Sequence, residues 1–539
     1  MTKRRTKKEQ TVQSARPDGG PMLDDVPNTA RTGEAPTESA VVVRAEGPPP
    51  AAPQAQEKPK TREWSVFQSA FFADVAEGEG DTVLRARAGC GKSSTIEEAV
   101  KHVPAGKSVL IVAFNKKIKE EMAARQANGG IPAHVEINTL HGFGFAACRS
   151  AFRSQLVQDK MLDITYRMLP EREQRDLRNA LQKAVAFAKG CLAQSEDEIR
   201  TMLDGMLSNG QIEWAWGDEE ERFISAVLAV LAECRENPQI VDFDDMIYCA
   251  VACKARVRQY DYVFVDETQD LNQAQIKLVL MARKPGGRVF AVGDDKQAIY
   301  AFRGADANAI NNIIEALSAK VLPLSVTYRC ASSIVDLAKQ IVPDYECPAW
   351  AERGEVVAKT TEQLKQEAQA GDFVISRKNA PLLGLCLSFL KAGKPASIAG
   401  RDVGASLRQL IEKSKTSTVI ELTKWLDEWH MTEIERLSKR ERPSETAIEA
   451  VQDKVLCITS LCEGAKSVNE VLAKIDSLFS DKDDASRIVC TTVHKCKGLE
   501  RNRAWLLMDT FRVGKGEEEA NLMYVGITRA RKSLFPVRG

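Results

Sequence analysis

From residue 83 onward the chain alternates short apolar runs with longer stretches of helical periodicity. Val83–Leu84, Val109–Phe114, the stretch entering Thr139, Tyr262–Val265 and Val289–Val292 each end abruptly in polar or small residues. Runs without in-out alternation predict strands buried on both faces, the habit of parallel sheets covered by helices. Two long segments break this rhythm. Residues 151–237 and 401–485 carry Leu, Ala, Arg and Glu with no sustained apolar run, which predicts helical insertions. The strand rhythm resumes after each, at residues 238–315 and 486–539, so the expected fold is α/β with two parallel-sheet lobes, each interrupted by helices. The first lobe is expected from 61–150 and 238–315, and the second from 316–400 and 486–539. Residues 1–60, rich in Pro, Ala, Gly and charge, read as a disordered tail. Its bases Lys3, Arg4, Arg5, Lys7 and Lys8 are expected to stay solvated.

Composition narrows the class. A chain of 539 residues needs more than one core. Its 75 basic and 75 acidic residues balance, so a nucleic-acid surface has to be a local patch. No apolar run reaches the length of a membrane span, and the N-terminus lacks a signal-peptide core, which gives a cytosolic expectation with no membrane partner. The 13 cysteines show no metal-ligand spacing and read as reduced thiols.

Three stretches carry candidate chemistry. The first follows the strand at Val83–Leu84: Ala88, Gly89, Cys90, Gly91, Lys92, Ser93 and Ser94 form a small-residue loop leading into a helix. Such a loop cradles phosphates on backbone N–H groups, with Lys92 reaching the β/γ-phosphates of ATP and Ser93 offering its hydroxyl to Mg²⁺. Ala86 stands where the general phosphate-loop pattern begins with glycine. The second stretch, Tyr262–Asp270, ends an apolar strand on Asp266 and Glu267. At the carboxyl edge of a parallel sheet, Asp266 suits a Mg²⁺ ligand and Glu267 a base for the attacking water. The third runs from Arg288 to Asp306 and sets Gln297 a few residues before Tyr300 and Phe302. Either it couples a γ-phosphate sensor to two base-stacking aromatics, or it is a polar turn with two core rings.

Other candidates have two readings each. Gln68, among Trp64, Phe67 and Phe71, either reads an adenine edge or sits in an amphipathic stripe. Phe114 at its strand end is a stacking face or core. Thr139, His141 and Phe143 either gather a phosphate and a base or open a capped helix.

Taken in order, Gln68, AGCGKSS, AFNKK, TLHGF, VDETQD, VGDDKQAIYAFRGA, TYR, TVHKCKGLE and MYVGITRAR resemble the motif set of the UvrD/Rep/PcrA superfamily 1A DNA helicases across residues 64–535. Some of the wording also resembles the F-box DNA helicase branch. The resemblance implies two RecA-like lobes, a P-loop NTPase site and 3′-to-5′ movement on single-stranded DNA that unwinds tailed duplexes in repair or replication. It further implies that Tyr328 stacks on adenine, Arg329 reaches the γ-phosphate, His494 meets the DNA strand and Glu500 meets the ribose. Arg529 is implied as the arginine finger, a group worth roughly 10³–10⁵ in rate; the plain alternative is a helix cap or a pair with Glu517–Glu519.

Three departures from the family pattern stand out: Arg87 where glycine is common, Lys296 in place of an acid and Phe302 in place of tryptophan. They predict slower turnover or weaker strand binding. The second insertion is short for the family's accessory domain, which keeps open a translocase that strips proteins without efficient unwinding. An ATP-gated DNA-binding module is disfavoured by Glu267 and Arg529. Only eleven residues follow Thr528 (539 − 528), so no nuclease is expected after it. RNA and hybrid strands suit the same stacking platforms as DNA.

Overall fold

Two all-parallel sheets absorb the apolar runs. The structure is a computed structural model describing residues 63–171, 175–208, 212, 220–299, 308–438, 445–479, 484–512, 514 and 516–539, all within the unit Gln56–Gly539. The expected tail at 1–60, and Tyr300 and Phe302, lie outside the described residues.

In chain order the strands are β1 Thr82–Ala86, β2 Val109–Ala113, β3 Glu136–Thr139, β4 Gln155–Leu156, β5 Ile240–Val241, β6 Tyr260–Val265, β7 Arg283–Gly293 and β8 Lys320–Leu324 in the first half. The second half holds β9 Glu355–Val356, β10 Lys359–Thr360, β11 Phe373–Ser376, β12 Ala396–Ile398, β13 Ile488–Thr492, β14 Arg501–Leu507 and β15 Ala530–Arg538. The first sheet runs β3-β2-β6-β7-β1-β8. The second runs β10-β15-β14-β11-β13-β12, with β9 also on β15. Every pair is parallel.

Burial on both faces explains the unbroken runs. Leu110 and Val112 of β2 join one apolar layer with Val263 and Val265, while Val109, Ile111 and Ala113 join the opposite layer with Phe264 and Phe290. The second sheet divides in the same way, Phe373 and Ile375 on one side and Val374, Trp505 and Phe535 on the other. One expectation is corrected. The strand at Lys320–Leu324, expected to open the second sheet, is the edge of the first and pairs with β1 from Thr82↔Lys320 to Ala86↔Leu324. The letters of an edge strand do not say which sheet it joins; the N–H of Lys320 donating to the carbonyl of Asp81 at 2.9 Å does.

The first helical stretch contains Lys160–Met168, Arg175–Cys191, Glu196–Ser208 and Glu220–Glu236. It departs and returns through the short parallel pair β4–β5, and its Leu181, Val185, Phe223 and Val227 share a core with the first sheet. The second stretch, Arg401–Ser414, Val419–Ser438, Glu445–Cys462 and Val468–Leu478, shares its core with the second sheet. No helix among the described residues is long and apolar enough to cross a membrane.

Buried charge ties the first stretch down. Lys189 meets Asp245 at 2.8 Å and Asp242 at 3.1 Å, and Lys160 meets Asp245 at 2.5 Å, all four side chains being buried. Removing one partner of such a network strands charge without compensation, at about 3–5 kcal/mol. Lys189→Met is expected to lower unfolding stability by about that amount in urea titration.

Candidate active site at the junction of the sheets

Because β1, β6 and β7 are parallel neighbours in the order β6-β7-β1, the loops leaving their carboxyl ends meet at one edge. The loop after β1 turns through Gly89 and Gly91, at φ 71° and 80°, a left-handed backbone that favours glycine. Gly89 also leaves no room: a Cβ there would lie 2.5 Å from Arg329 Cβ and 2.6 Å from Thr327 Oγ1. Gly91 precedes the helix Lys92–Ala99, whose first turn holds Lys92, Ser93 and Ser94.

The acids after β6 face that turn. Ser93 Oγ donates to Asp266 Oδ2 at 3.1 Å, and Lys92 Nζ lies 3.2 Å from Glu267 Oε2. Glu267 itself has φ 52°, uncommon for a residue with a side chain. Two hydrogen bonds hold it there: its N–H donates to Asp266 Oδ1 at 2.9 Å, and Gln269 Nε2 donates to Glu267 Oε2 at 2.6 Å. The same Gln269 accepts from the N–H of Asp294 at 3.0 Å, joining the loops after β6 and β7.

The environment splits the two acids. Burial and the neighbouring Glu267 raise the Asp266 pKa. For Glu267 burial also acts upward, but Lys92 and Lys497 outweigh it and pull the carboxyl below its usual range. Burial acts to lower the Lys92 pKa, but Glu267, Asp294 and Asp266 raise it above its ordinary value. The result is a charged Lys92 beside an ionised Glu267. Asp266, next to the Ser93 hydroxyl, is the acid that would gain most from a cation.

The second sheet supplies the opposite wall. Arg329 is ion-paired with Glu500. Arg529 is only 1% exposed, and its guanidinium donates to Val525 O at 2.9 Å, Leu499 O at 3.1 Å, Thr528 Oγ1 at 3.0 Å and Gln297 Oε1 at 3.5 Å. All four are uncharged oxygens. Burial, then the nearby Arg329, pull the Arg529 pKa down. Among the described residues this buried guanidinium has no counter-anion, a costly arrangement, so this wall suits a polyanion. Gln297 connects it to the first sheet, its Nε2 donating to Asp294 Oδ2 at 2.7 Å.

Sequence reasoning missed several contacts that join the two walls. The Ala88 N–H donates to the Tyr524 hydroxyl at 2.9 Å, the Tyr345 hydroxyl donates to Ala88 O at 2.9 Å, and the Tyr328 N–H donates to Gly89 O at 3.0 Å. Lys497 reaches Asp270 at 2.7 Å and Gln297 O at 2.7 Å. Tyr524 and Lys497 stand inside the MYVGITRAR and TVHKCKGLE motifs, but the sequence does not say which side chain bridges the sheets.

Two of the expected contact residues are buried. Gln68 has its Oε1 accepting from the Ser65 N–H at 3.0 Å as half of a capping box and its Nε2 donating to Thr95 Oγ1 at 2.9 Å, so its amide is engaged within the fold. Phe143, expected on a nucleic-acid face, is 4% exposed and packs near Tyr260 in the first core. Thr139 caps the helix Leu140–Phe152 by accepting from the Gly142 N–H at 3.1 Å.

Other expected contact residues do reach the surface. Phe114, at the end of β2, is 41% exposed, and the half-buried His494 lies on the short helix Val493–Cys496. Tyr328 is partly exposed with its ring tilted toward Trp350. His141 stacks at 3.9 Å on Phe243, an aromatic no motif flagged and which is 59% exposed. Phe243 stands between Asp242 and Asp244, two residues before the buried Asp245 that binds both lysines.

Comparison with known proteins decides the lineage. The UvrD/REP helicase N-terminal domain matches residues 69–318, and the UvrD-like helicase C-terminal domain matches residues 355–537. The chain belongs to the UvrD/REP superfamily 1 helicases. Among relatives, F-box DNA helicase protein 1 of Schizosaccharomyces pombe is 25% identical over 522 residues, covering 84% of this chain and 55% of the relative. The putative ATP-dependent DNA helicase YjcD of Bacillus subtilis is 26% identical over 291 residues, 50% of this chain and 37% of its own length. The ATP-dependent DNA helicase PcrA of Leuconostoc citreum is 24% identical over 379 residues, 60% and 49% respectively. The UvrD/REP chain described here thus spans about half or less of the length of these relatives.

Burial pushes the His141 pKa from 6.5 down to about 4. A folded value below the unfolded one makes the neutral ring the native form, so its contribution is present above 6.5 and lost as pH falls toward 4. His141→Gln is expected to flatten the fall in melting temperature across that interval. An unchanged slope would mean that the ring titrates freely.

Proposed function

We propose that this chain is an ATP-driven DNA motor that hydrolyses ATP between its two lobes, translocates 3′ to 5′ along single-stranded DNA and separates duplex ahead of it. In this reading 61–150 and 238–315, together with β8, form the nucleotide-binding lobe, and the rest of 316–400 with 486–539 forms its partner; 151–237 and 401–485 are insertions. The observation that carries it is Arg529, buried among neutral oxygens and joined through Gln297 and Asp294 to the loop edge that holds Lys92 and Glu267. A triphosphate between these walls would give Arg529 its missing anion.

Each residue then has a task. The Gly89–Gly91 backbone and Lys92 hold the phosphates. Glu267, kept ionised by Lys92 and Lys497, takes the proton of the attacking water. Arg329 exchanges Glu500 for phosphate, and Arg529 stabilises charge on the transferred group. Ser93 and Asp266 would hold Mg²⁺, which supplies charge neutralisation on the phosphate oxygens. Phosphate lost from the cleft removes the reason for both walls to stay together, and the lobes part. Phe114, the His141–Phe243 stack and His494 would grip successive bases, at about 1–3 kcal/mol for each stacked base. The second insertion, four helices long, favours a second reading in which the motor clears bound proteins without efficient unwinding.

Glu267→Gln should lower ATP turnover by about 10²–10⁴ while ATP still binds, measured by phosphate release and by equilibrium binding. Turnover that survives would assign the base elsewhere. Duplexes with a 3′ or a 5′ single-stranded tail separate the two readings. The motor is expected to open the 3′-tailed substrate alone, and a pure translocase opens neither yet displaces a protein block.

A further inference from the structure

Two of the departures from the family pattern converge on one structural use. Arg87, where glycine is common, stands on the phosphate loop with its side chain 7% exposed and all three guanidinium nitrogens engaged. Nη1 meets Asp294 at 3.2 Å and Asp295 at 2.7 Å, both on the loop after β7. Nε lies 3.0 and 3.1 Å from the two carboxylate oxygens of Asp344, and Nη2 lies 2.9 Å from one of them. Asp344 belongs to the other lobe, next to Tyr345, which is buried in the second core. Lys296, the second departure, also crosses, reaching Glu517 at 2.6 Å. Neither bond is open to a glycine or an acid at these positions.

We propose that Arg87 is a cross-lobe positioning residue, a latch that grips Asp344 from the phosphate loop and keeps the lobes together around that loop before any nucleotide arrives, with Lys296–Glu517 as a weaker second tie. The fork geometry favours this. A guanidinium presents donors on two sides, so one side stays on Asp294 and Asp295 while the other holds the carboxylate across the gap. Asp344 is 53% exposed, so the cross-lobe half of the cluster is the half that salt and thermal motion loosen first. The backbone next to Arg87 would feel that loosening at once. Ala88 is fully buried in the second lobe's core, and its N–H and carbonyl are held by Tyr524 and Tyr345. In a lobe pair closed only by substrate, the loop would be exposed between cycles; here the latch would keep it covered and slow nucleotide exchange.

The consequence for exchange rests on the nucleotide reading given above, whereas the latch itself does not. Amide hydrogen exchange at Ala88 in the full, nucleotide-free chain tests it directly, because that N–H is donated across the junction. Asp344→Asn removes the far charge without touching the phosphate loop. The expected result is exchange about tenfold faster than wild type, restored by Asp344→Glu, with wild type itself accelerating at high salt. Equal exchange in wild type and Asp344→Asn would overturn the proposal and leave Arg87 as a brace within one lobe. Release of a fluorescent ADP analogue, measured on the same proteins, is expected to quicken by a similar factor in Asp344→Asn; release at the wild-type rate despite faster amide exchange would overturn the link to turnover. If wild type binds no nucleotide at all, the proposed function fails, and amide exchange still decides the latch.

Discussion

The parallel pairing of β1, β6 and β7 is the constraint on which the site depends. Parallel strands end on the same side, so three loops far apart in sequence are delivered to one edge without any of them having to recognise the others. Antiparallel pairing of β7 would send Asp294 and Gln297 to the opposite edge and cut the line from Glu267 to Arg529. Register matters as much as direction: Val83↔Ala291 and Val265↔Ala291 align the two loop-bearing strands against the same residue of β7. The loops then need only short side chains to meet, and Gln269 joins two of them with one amide.

Two buried charges follow different rules at this edge. Lys92 is offset by Glu267 and by Asp266 and Asp294 nearby, a compensated arrangement that is stable as it stands. Arg529 hydrogen-bonds, among the described residues, to carbonyl, amide and hydroxyl oxygens. That asymmetry makes the second wall electrostatically incomplete while the first is nearly satisfied, so an anion entering the cleft gains more from the second wall. A ligand that favours one arrangement of the walls in this way can shift the lobe equilibrium by no more than that difference.

How much of this was legible in the sequence depended on how local the requirement was. The tight loop after β1 could be read because left-handed turns at Gly89 and Gly91 and close approach to Arg329 demand small residues at fixed spacing. Asp266 and Glu267 could be read because an acid pair closing an apolar strand has few structural uses. Arg529 was singled out by resemblance alone; nothing in its sequence neighbourhood shows that it is buried with its guanidinium on neutral oxygens. Gln68 and Phe143 had two readings because an amide in a capping box and a ring in a core use the same letters as ligand contacts, and the structure places both among buried residues. Phe243 escaped notice for the opposite reason. Its acidic neighbourhood looks like solvated surface, and the buried pairing of its aspartates with Lys160 and Lys189, 85 and 53 residues away, is not visible in the local sequence.

The way the cores are shared divides this molecule into two stiff bodies. Each block of helices packs into the apolar layer of its own sheet, and the first is also pinned by buried ion pairs. Neither block is therefore a loose appendage, and each has to travel with the sheet it covers. Across the junction the packing is thin: the first lobe lends the second core Ala88 and Ile299, and the other contacts described are polar. Were one lobe to turn against the other, each helical block would be carried along by its own sheet, so a small turn at the junction would be magnified at the far ends of the helices.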